Sequence, residues 1–294
     1  MIETNLENLD AKRERAIRKL SSVYNLPSLP FIILEVNKII DDPRTSASQL
    51  GKMISQDQGL VTKILTVANS PLYGIPKRVS TIDFAIVILG FNQIKNIVIA
   101  LSMMETLKRI GDEKFNHKKY WQHSVITASA AKRIADDLGY QFSGEAFTAG
   151  LLHDLGIPII YKYFNKEYKE IIAKVASNKS SYLDVELDLL GLTHQEIGMY
   201  LLERWNLPLS LSEAVAFHHN PSDAEHFPEL TAIIHLADYM TQKLEIGTYF
   251  WDDNIQLDKN IITILRLGDE EYLENFIDSY KELFQYQIET LDFQ

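Results

Sequence analysis

Two apolar stripes share one stretch of the chain between Tyr120 and Leu138, and no other feature limits the fold as tightly. At helical spacing, Trp121, Val125, Ala128, Ala135 and Leu138 fall on one side, while Tyr120, His123, Thr127 and Ile134 fall on another. A helix that is apolar on more than one face needs neighbours on more than one side, so it belongs at the centre of a bundle. The rest of the sequence supplies those neighbours. Leu6, Leu9, Ala16, Ile17 and Leu20 predict an N-terminal helix, Pro27 and Pro30 interrupt the pattern, and Ile32 to Ile40 predicts a helix stopped by Asp41-Asp42-Pro43. Ser46 is placed to cap a helix carrying Leu50, Met53 and Ile54; another runs from about Leu60 to Asn69. Thr81 can cap Ile82 to Leu89, and Ile94 to Ile110 follows Gly90 and is closed by Gly111. Strand-like alternation with hairpin signals is missing, so the expected class is all-α, a multi-helix orthogonal bundle.

Length and charge narrow the function. A chain of 294 residues can bury a sizeable core. It has no cysteine, which removes disulfides, thiolate metal sites and a cysteine nucleophile. The start lacks the basic, apolar and small-residue regions of a signal peptide. Phe84 to Phe91 and Ile97 to Met104 are too short to span a bilayer, which takes roughly 20 residues. A cytoplasmic protein without membrane contact is the expectation. Of the net charge of −11, eleven Asp/Glu against Lys259, Arg266 and Lys281 place −8 between Trp251 and Gln294. With no basic stripe elsewhere, a nucleic acid partner is not expected, and the acidic end reads as a solvated helical face.

The second half carries the titratable residues that suggest chemistry. Ser143 can cap a helix reaching Leu151-Leu152-His153-Asp154, with Gly156 as its stop and Pro158 beyond. Thr193 and Glu196 have capping-box spacing and put His194 in the first turn of a helix. Ser210 and Glu213 repeat the spacing ahead of the His218-His219 pair, which Asn220-Pro221 terminates. Leu230 to Leu244 reads as a helix with His235 and Asp238 on the same side. An imidazole beside a carboxylate suits a borderline metal ion, but each residue has an ordinary alternative. His153 can favour a helix C-terminus with Asp154 facing solvent, His123 can be a hydrogen-bonded core histidine, and His194, His218 and His219 can be helix-end residues facing water. Asp238 sits among Ala237, Tyr239 and Met240, where a carboxylate needs a cation, donors or solvent. Adjacent helical residues point about 100° apart, so His218 and His219 are expected to serve different ions, or only one of them to ligate. His235 is expected beside the ligands or as a surface partner of Asp238, and His117 and His226 in loops.

Taken in order, these residues resemble the HD superfamily of metal-dependent phosphohydrolases, and more closely its regulatory branch, the HDOD proteins. The first half carries Ile54-Ser55-Gln56-Asp57-Gln58-Gly59-Leu60, Val67-Ala68-Asn69-Ser70-Pro71-Leu72-Tyr73-Gly74, Thr81-Ile82, Ala85-Ile86 and Leu89-Gly90. The second carries Trp121-Gln122-His123-Ser124, His153-Asp154-Leu155-Gly156, Thr193 to Gly198, Trp205 to Pro208 and His218-His219. The resemblance covers roughly Leu26 to Lys243. It implies an HD-type helical core and makes His123, His153, Asp154 and Asp238 the ligands of one ion. His194, His218 and His219 fall where the related HD-GYP phosphodiesterases build a second metal position. A His/carboxylate set without sulfur favours iron or manganese, with nickel or zinc as alternatives.

The same comparison separates metal binding from hydrolysis. HD-GYP enzymes place a lysine shortly after the glycine of the doublet and a Gly-Tyr-Pro element after the histidine pair. This chain has Ile157-Pro158-Ile159-Ile160 and Asn220-Pro221-Ser222-Asp223 instead. The expectation is therefore a metal-binding signalling output module that acts on a protein partner, through the Asn69 to Ser80 region or another exposed face, without catalysis. A dinuclear phosphohydrolase acting on a nucleotide or phosphoester is the alternative, and a metal-free helical adaptor the third reading. The expected organisation is an N-terminal helix at 1–22, an N-terminal helical subdomain at 23–115, an HD-like metal-binding subdomain at 116–245 and an acidic helical extension at 246–294. Neither a receiver-like α/β segment nor a Gly/Ser linker precedes the helical module, so its input is expected from a partner, a small ligand or its own abundance.

Overall fold

The computed structural model describes residues 2–22, 31–40, 42, 44–71, 75–108, 115–178, 180–252 and 255–290, and among these every regular element is helical. The first half contains α1 (Ile2–Ser22), α2 (Phe31–Ile40), α3 (Ala47–Ile54), α4 (Gln58–Ala68), α5 (Ile82–Leu89) and α6 (Phe91–Lys108). The cap residues expected at Ser46 and Thr81 accept from the backbone N–H groups of Gln49 and Phe84, and Asp57 does the same for α4. Pro27, Pro30 and the Gly111 stop lie outside the described residues.

The two-stripe segment is the bundle's axis. It forms α7 (His117–Asp137), whose residues from His123 to Lys132 are buried without a break. Around it lie α8 (Ser143–Leu152), α14 (Pro228–Lys243) and α17 (Lys281–Thr290). Small residues set the spacing between α7 and α8. A Cβ at Gly150 would come 2.8 Å from Ala128 Cα, so the two backbones pass closer than any other residue would permit. The remaining helices are α9 (Gly156–Tyr163), α10 (Asn165–Asn178), α11 (Tyr182–Leu190), α12 (His194–Arg204), α13 (Leu209–Phe217), α15 (Ile261–Ile264) and α16 (Glu270–Ser279).

Both ends of the chain are tied into this body. α1 buries Ala16 and Leu20, packs on α11 and places Arg13 Nη1 2.5 Å from Glu196 Oε1. α16 and α17 are amphipathic as their acidic composition suggested, but their inner faces bury Leu273, Ile277, Tyr280 and Phe284. Tyr280 donates to Asp137 Oδ2 at 2.6 Å, and Ser70 bonds to Gln287, which joins α17 to the first half of the chain. Among the described residues no single helix is long and apolar enough to cross a membrane.

Three local expectations need correction. Ser143 is the first residue of α8, not its cap: Phe142 occupies that position and makes no side-chain cap bond. His117 opens α7 after its cap residue Asn116, so only His226 is a loop residue. Glu213 closes no capping box either, since α13 starts after Pro208. Its carboxylate instead accepts from the N–H groups of Glu225, His226 and Phe227 and from His226 Nδ1, holding the loop before α14. Tertiary donors outcompeted the local one because a single carboxylate there satisfies three backbone groups at once.

Burial pushes the Glu213 carboxyl up, but the bonds from the His226 ring and the loop N–H groups outweigh it and hold the group below its ordinary 4.5. A depressed carboxyl contributes stability above its unfolded value and loses it as pH falls through the folded one. Glu213→Ala is expected to cost about 2–4 kcal/mol at pH 7. The gap to the natural protein should close as pH drops below about 4.5, measured by urea unfolding across that range.

Candidate metal centre

Five helices deliver the seven candidate ligands to one place. His123 comes from the middle of α7, His153 and Asp154 from the turn after α8, His194 from the first residue of α12, His218 and His219 from the end of α13, and Asp238 from α14. His219 is 9 % exposed, the others 0 or 1 %. The solvent-facing readings of the doublet and of the helix-end histidines therefore fail.

Four of the rings are pinned from behind. Nδ1–H donates to Gly247 O at 3.0 Å in His123, to Gly150 O at 2.7 Å in His153 and to Val215 O at 2.8 Å in His218. In His194 it lies 3.0 Å from both oxygens of Glu186, which also accepts the His194 backbone N–H at 2.7 Å. A carbonyl or carboxylate oxygen can only accept, so the proton of each neutral ring sits on Nδ1 and the lone pair on Nε2. Every one of these Nε2 atoms points into the cluster.

The inward atoms form two groups on the two oxygens of Asp154. Oδ2 lies 3.6 Å from His123 Nε2 and 3.4 Å from His153 Nε2, and Asp238 Oδ1 is 3.2 Å from His123 Nε2. Oδ1 lies 3.5 Å from His194 Nε2 and 3.7 Å from His218 Nε2, with His219 Nε2 3.2 Å from that of His194. His123 Nε2 and His153 Nε2 are only 3.1 Å apart. Two lone pairs at that distance, beside two carboxylates, repel unless a cation lies among them.

The donor set fits a metal. Both carboxylate oxygens of Asp238 and Nε2 of His218 are buried without a hydrogen bond, a cost that coordination removes. Burial, then the neighbouring rings of His219, His153 and His194, hold the His218 pKa well below its ordinary value, so its imidazole is neutral and its lone pair available. Among the described residues, three groupings have ligand atoms close enough for one ion: His123, His153 and Asp238; His153, Asp154 and His218; and His194, His218 and His219. His218 falls in two of these groupings and His219 in one, and their rings lie 4.1 Å apart.

Other positions differ from the sequence reading. Gly156 does not stop a helix; it begins α9, and a Cβ there would come 2.0 Å from His194 O. Its role is to let α9 pass the start of α12. Thr193 and Glu196 do form the capping box that sets that start. His235 is fully buried rather than a surface partner of Asp238. Its Nδ1–H donates to His218 O at 2.7 Å, its Nε2 accepts from Asp258 N–H at 2.9 Å, and burial lowers its pKa to about 4. Glu186 and Trp251 were missed. Trp251 Nε1 donates to Glu186 Oε1 at 2.5 Å, completing a buried carboxylate's shell. Nothing in Tyr182-Leu183-Asp184-Val185-Glu186-Leu187-Asp188 singled Glu186 out from its acidic neighbours.

The HDOD domain model matches residues 26–221, two thirds of the chain, and the protein belongs to the HDOD domain family. An uncharacterized protein of Treponema pallidum (strain Nichols) is 26 % identical over 293 residues, covering 97 % of this chain and 55 % of the relative. The chain thus spans about half the length of the curated relative it matches. An HDOD domain protein of unknown function from Geobacter sulfurreducens superposes with a TM-score of 0.78 at 25 % identity, over 96 % of this chain and 99 % of the other. A Marinobacter aquaeolei VT8 chain, provisionally described as a signal transduction protein, does so at 0.72 and 21 % identity, over 97 % and 67 %.

Gly156→Ala should displace the start of α12, and His194 with it. A loss of about 2–3 kcal/mol in urea unfolding is expected, against less than about 1 kcal/mol for alanine at Gly59, where the nearest atom is a side-chain oxygen at 3.3 Å.

Proposed function

We propose that this protein is a metal-holding HDOD regulatory module that passes a signal to a protein partner and does not hydrolyse phosphoesters. The observation that carries this reading is the burial of the donor set: all seven side chains lie within 9 % of complete closure. A phosphoester must reach the reacting atoms, and its charge must be met there by positioned cations or donors. On the α9 side the cluster is followed by Ile157, Pro158, Ile159 and Ile160, all buried and apolar. After the histidine pair, Pro221–Asp223 forms a short 3-10 turn whose Ser222 is engaged by Asp258 and Asn260.

His123, His153, Asp154 and Asp238 would hold one ion, and His194, His218 and His219, sharing Asp154, a second. When bound, the metal supplies positive charge that satisfies the buried carboxylates and ties α7, α8, α12, α13 and α14 at one point. Iron or manganese suits this all-nitrogen-and-oxygen set best. Closure leaves the outer helical surfaces as the route by which the state of the cluster reaches another molecule, and a cytoplasmic partner is in keeping with this. Hydrolysis is the second reading, supported by the way Asp154 turns one oxygen to each group of imidazoles, as a two-ion centre does.

Elemental analysis of the purified protein should find one or two equivalents of a divalent transition metal. Chelation, or His153→Ala with Asp154→Ala, should lower Tm by roughly 5–10 °C, the shift expected for losing a ligand held about a hundredfold above its Kd. Iron- or manganese-loaded protein should give no turnover on cyclic dinucleotides, nucleotides or a generic phosphodiester. Metal-free protein with an unchanged Tm in the double variant removes the metal reading, and turnover on any of those substrates establishes the hydrolase instead.

A further inference from the structure

The chain between α14 and α15 reaches three histidines of the cluster: the ring of His123 directly, that of His194 through Glu186, and the backbone of His218 through His235. Gly247, at φ +71 and with its Cα so close over α7 that a Cβ would lie 2.4 Å from Ile126 Cδ1, gives its carbonyl to His123 Nδ1–H. Tyr249 lies over the same ring, 6.1 Å between centroids and 24° from parallel. Trp251 donates to Glu186, the carboxylate that holds His194. Asp258 N–H donates to His235, which in turn holds the carbonyl of His218. One short stretch thus supports ligands from both groups, and Ile246, Tyr249 and Trp251 anchor it in the core. It leads through α15 into α16 and α17, which dock through Tyr280 on Asp137 and Gln287 on Ser70.

An extension that merely completed the apolar core would need only the anchors. The acceptor given to His123 Nδ1–H, and the indirect links to His194 through Glu186 and to the His218 carbonyl through His235, need another account. A metal on Nε2 fixes the ring plane, and with it the direction in which Nδ1–H points. Turning the rings of an empty cluster would take His123 off Gly247 O, its acceptor on the strap, and His194 off Glu186, the carboxylate that Trp251 of the strap engages.

We propose that residues 246–252 and 255–260 act as a strap through which metal loading and the docking of α16 and α17 depend on each other, so that the C-terminal helices report the state of the buried cluster. The inference rests on the metal reading above. Coupling of this kind is reciprocal: whatever pulls the strap away weakens the metal by the factor by which the metal holds the strap.

Hydrogen exchange on the full chain, manganese-loaded and chelator-stripped, tests it, with elemental analysis of each sample. Stripping should raise exchange across 255–290 at least tenfold while α4 and α10 change little. Trp251→Phe, which keeps the aromatic anchor and deletes the donor, should weaken manganese binding by about tenfold or more. Glu186→Gln serves as the second variant should Trp251→Phe not fold. A stripped protein whose 246–290 region exchanges as before, a rise spread equally over α4 and α10, or natural affinity in the folded variant each overturns the strap while leaving the metal reading intact. A protein that takes up no manganese or iron overturns both, and elemental analysis tells the two failures apart.

Discussion

Everything in the second half of the protein depends on a concentration of acceptors at the centre of a helical bundle. Four imidazoles are each held by the proton on Nδ1, and the lone pairs this leaves on Nε2 converge on two carboxylates. Such a centre is unfavourable by itself, because burial removes the water that would satisfy it. Its donor set is one that could hold a cation. The surrounding structure builds this arrangement: small residues on α7 and α8 bring the helices close, Gly156 lets α9 pass the start of α12, and a capping box fixes where α12 begins.

The candidate ligands are enclosed, and the flanking segment of α9 is aliphatic. The closure is made by elements from distant parts of the chain. α1 reaches Glu196 through Arg13, and the segment after α14 reaches Glu186 through Trp251. Both ends of the chain thus bear on the residues that orient His194.

Much of this was legible in the residues. The double stripe on α7 announced a helix with neighbours all round, since apolar periodicity reflects which faces lose water. Thr193 and Glu196 announced the start of α12, because a capping box is satisfied within four residues. Glu213 shows where such reasoning stops. It has the same spacing from Ser210, yet the chain brings back three backbone N–H groups from 225–227 that bind it instead. Gly156 looked like a helix stop because glycine serves both ends and crossings, and only the neighbouring helix distinguishes the two. Glu186 gave no signal, since a buried acid and an exposed one look alike until the partner 65 residues away is in place.

The sequence by itself determined the helical class and the family, and singled out the candidate ligands, because these depend on periodicity, local caps and residue chemistry. The tertiary structure alone decided that the seven side chains share one closed site, which nitrogen of each ring faces inward, and that the C-terminal segment supports them. Those are matters of direction and distance between residues far apart in the chain, set by how helices pack and by which acceptor each imidazole meets, and no local pattern encodes them.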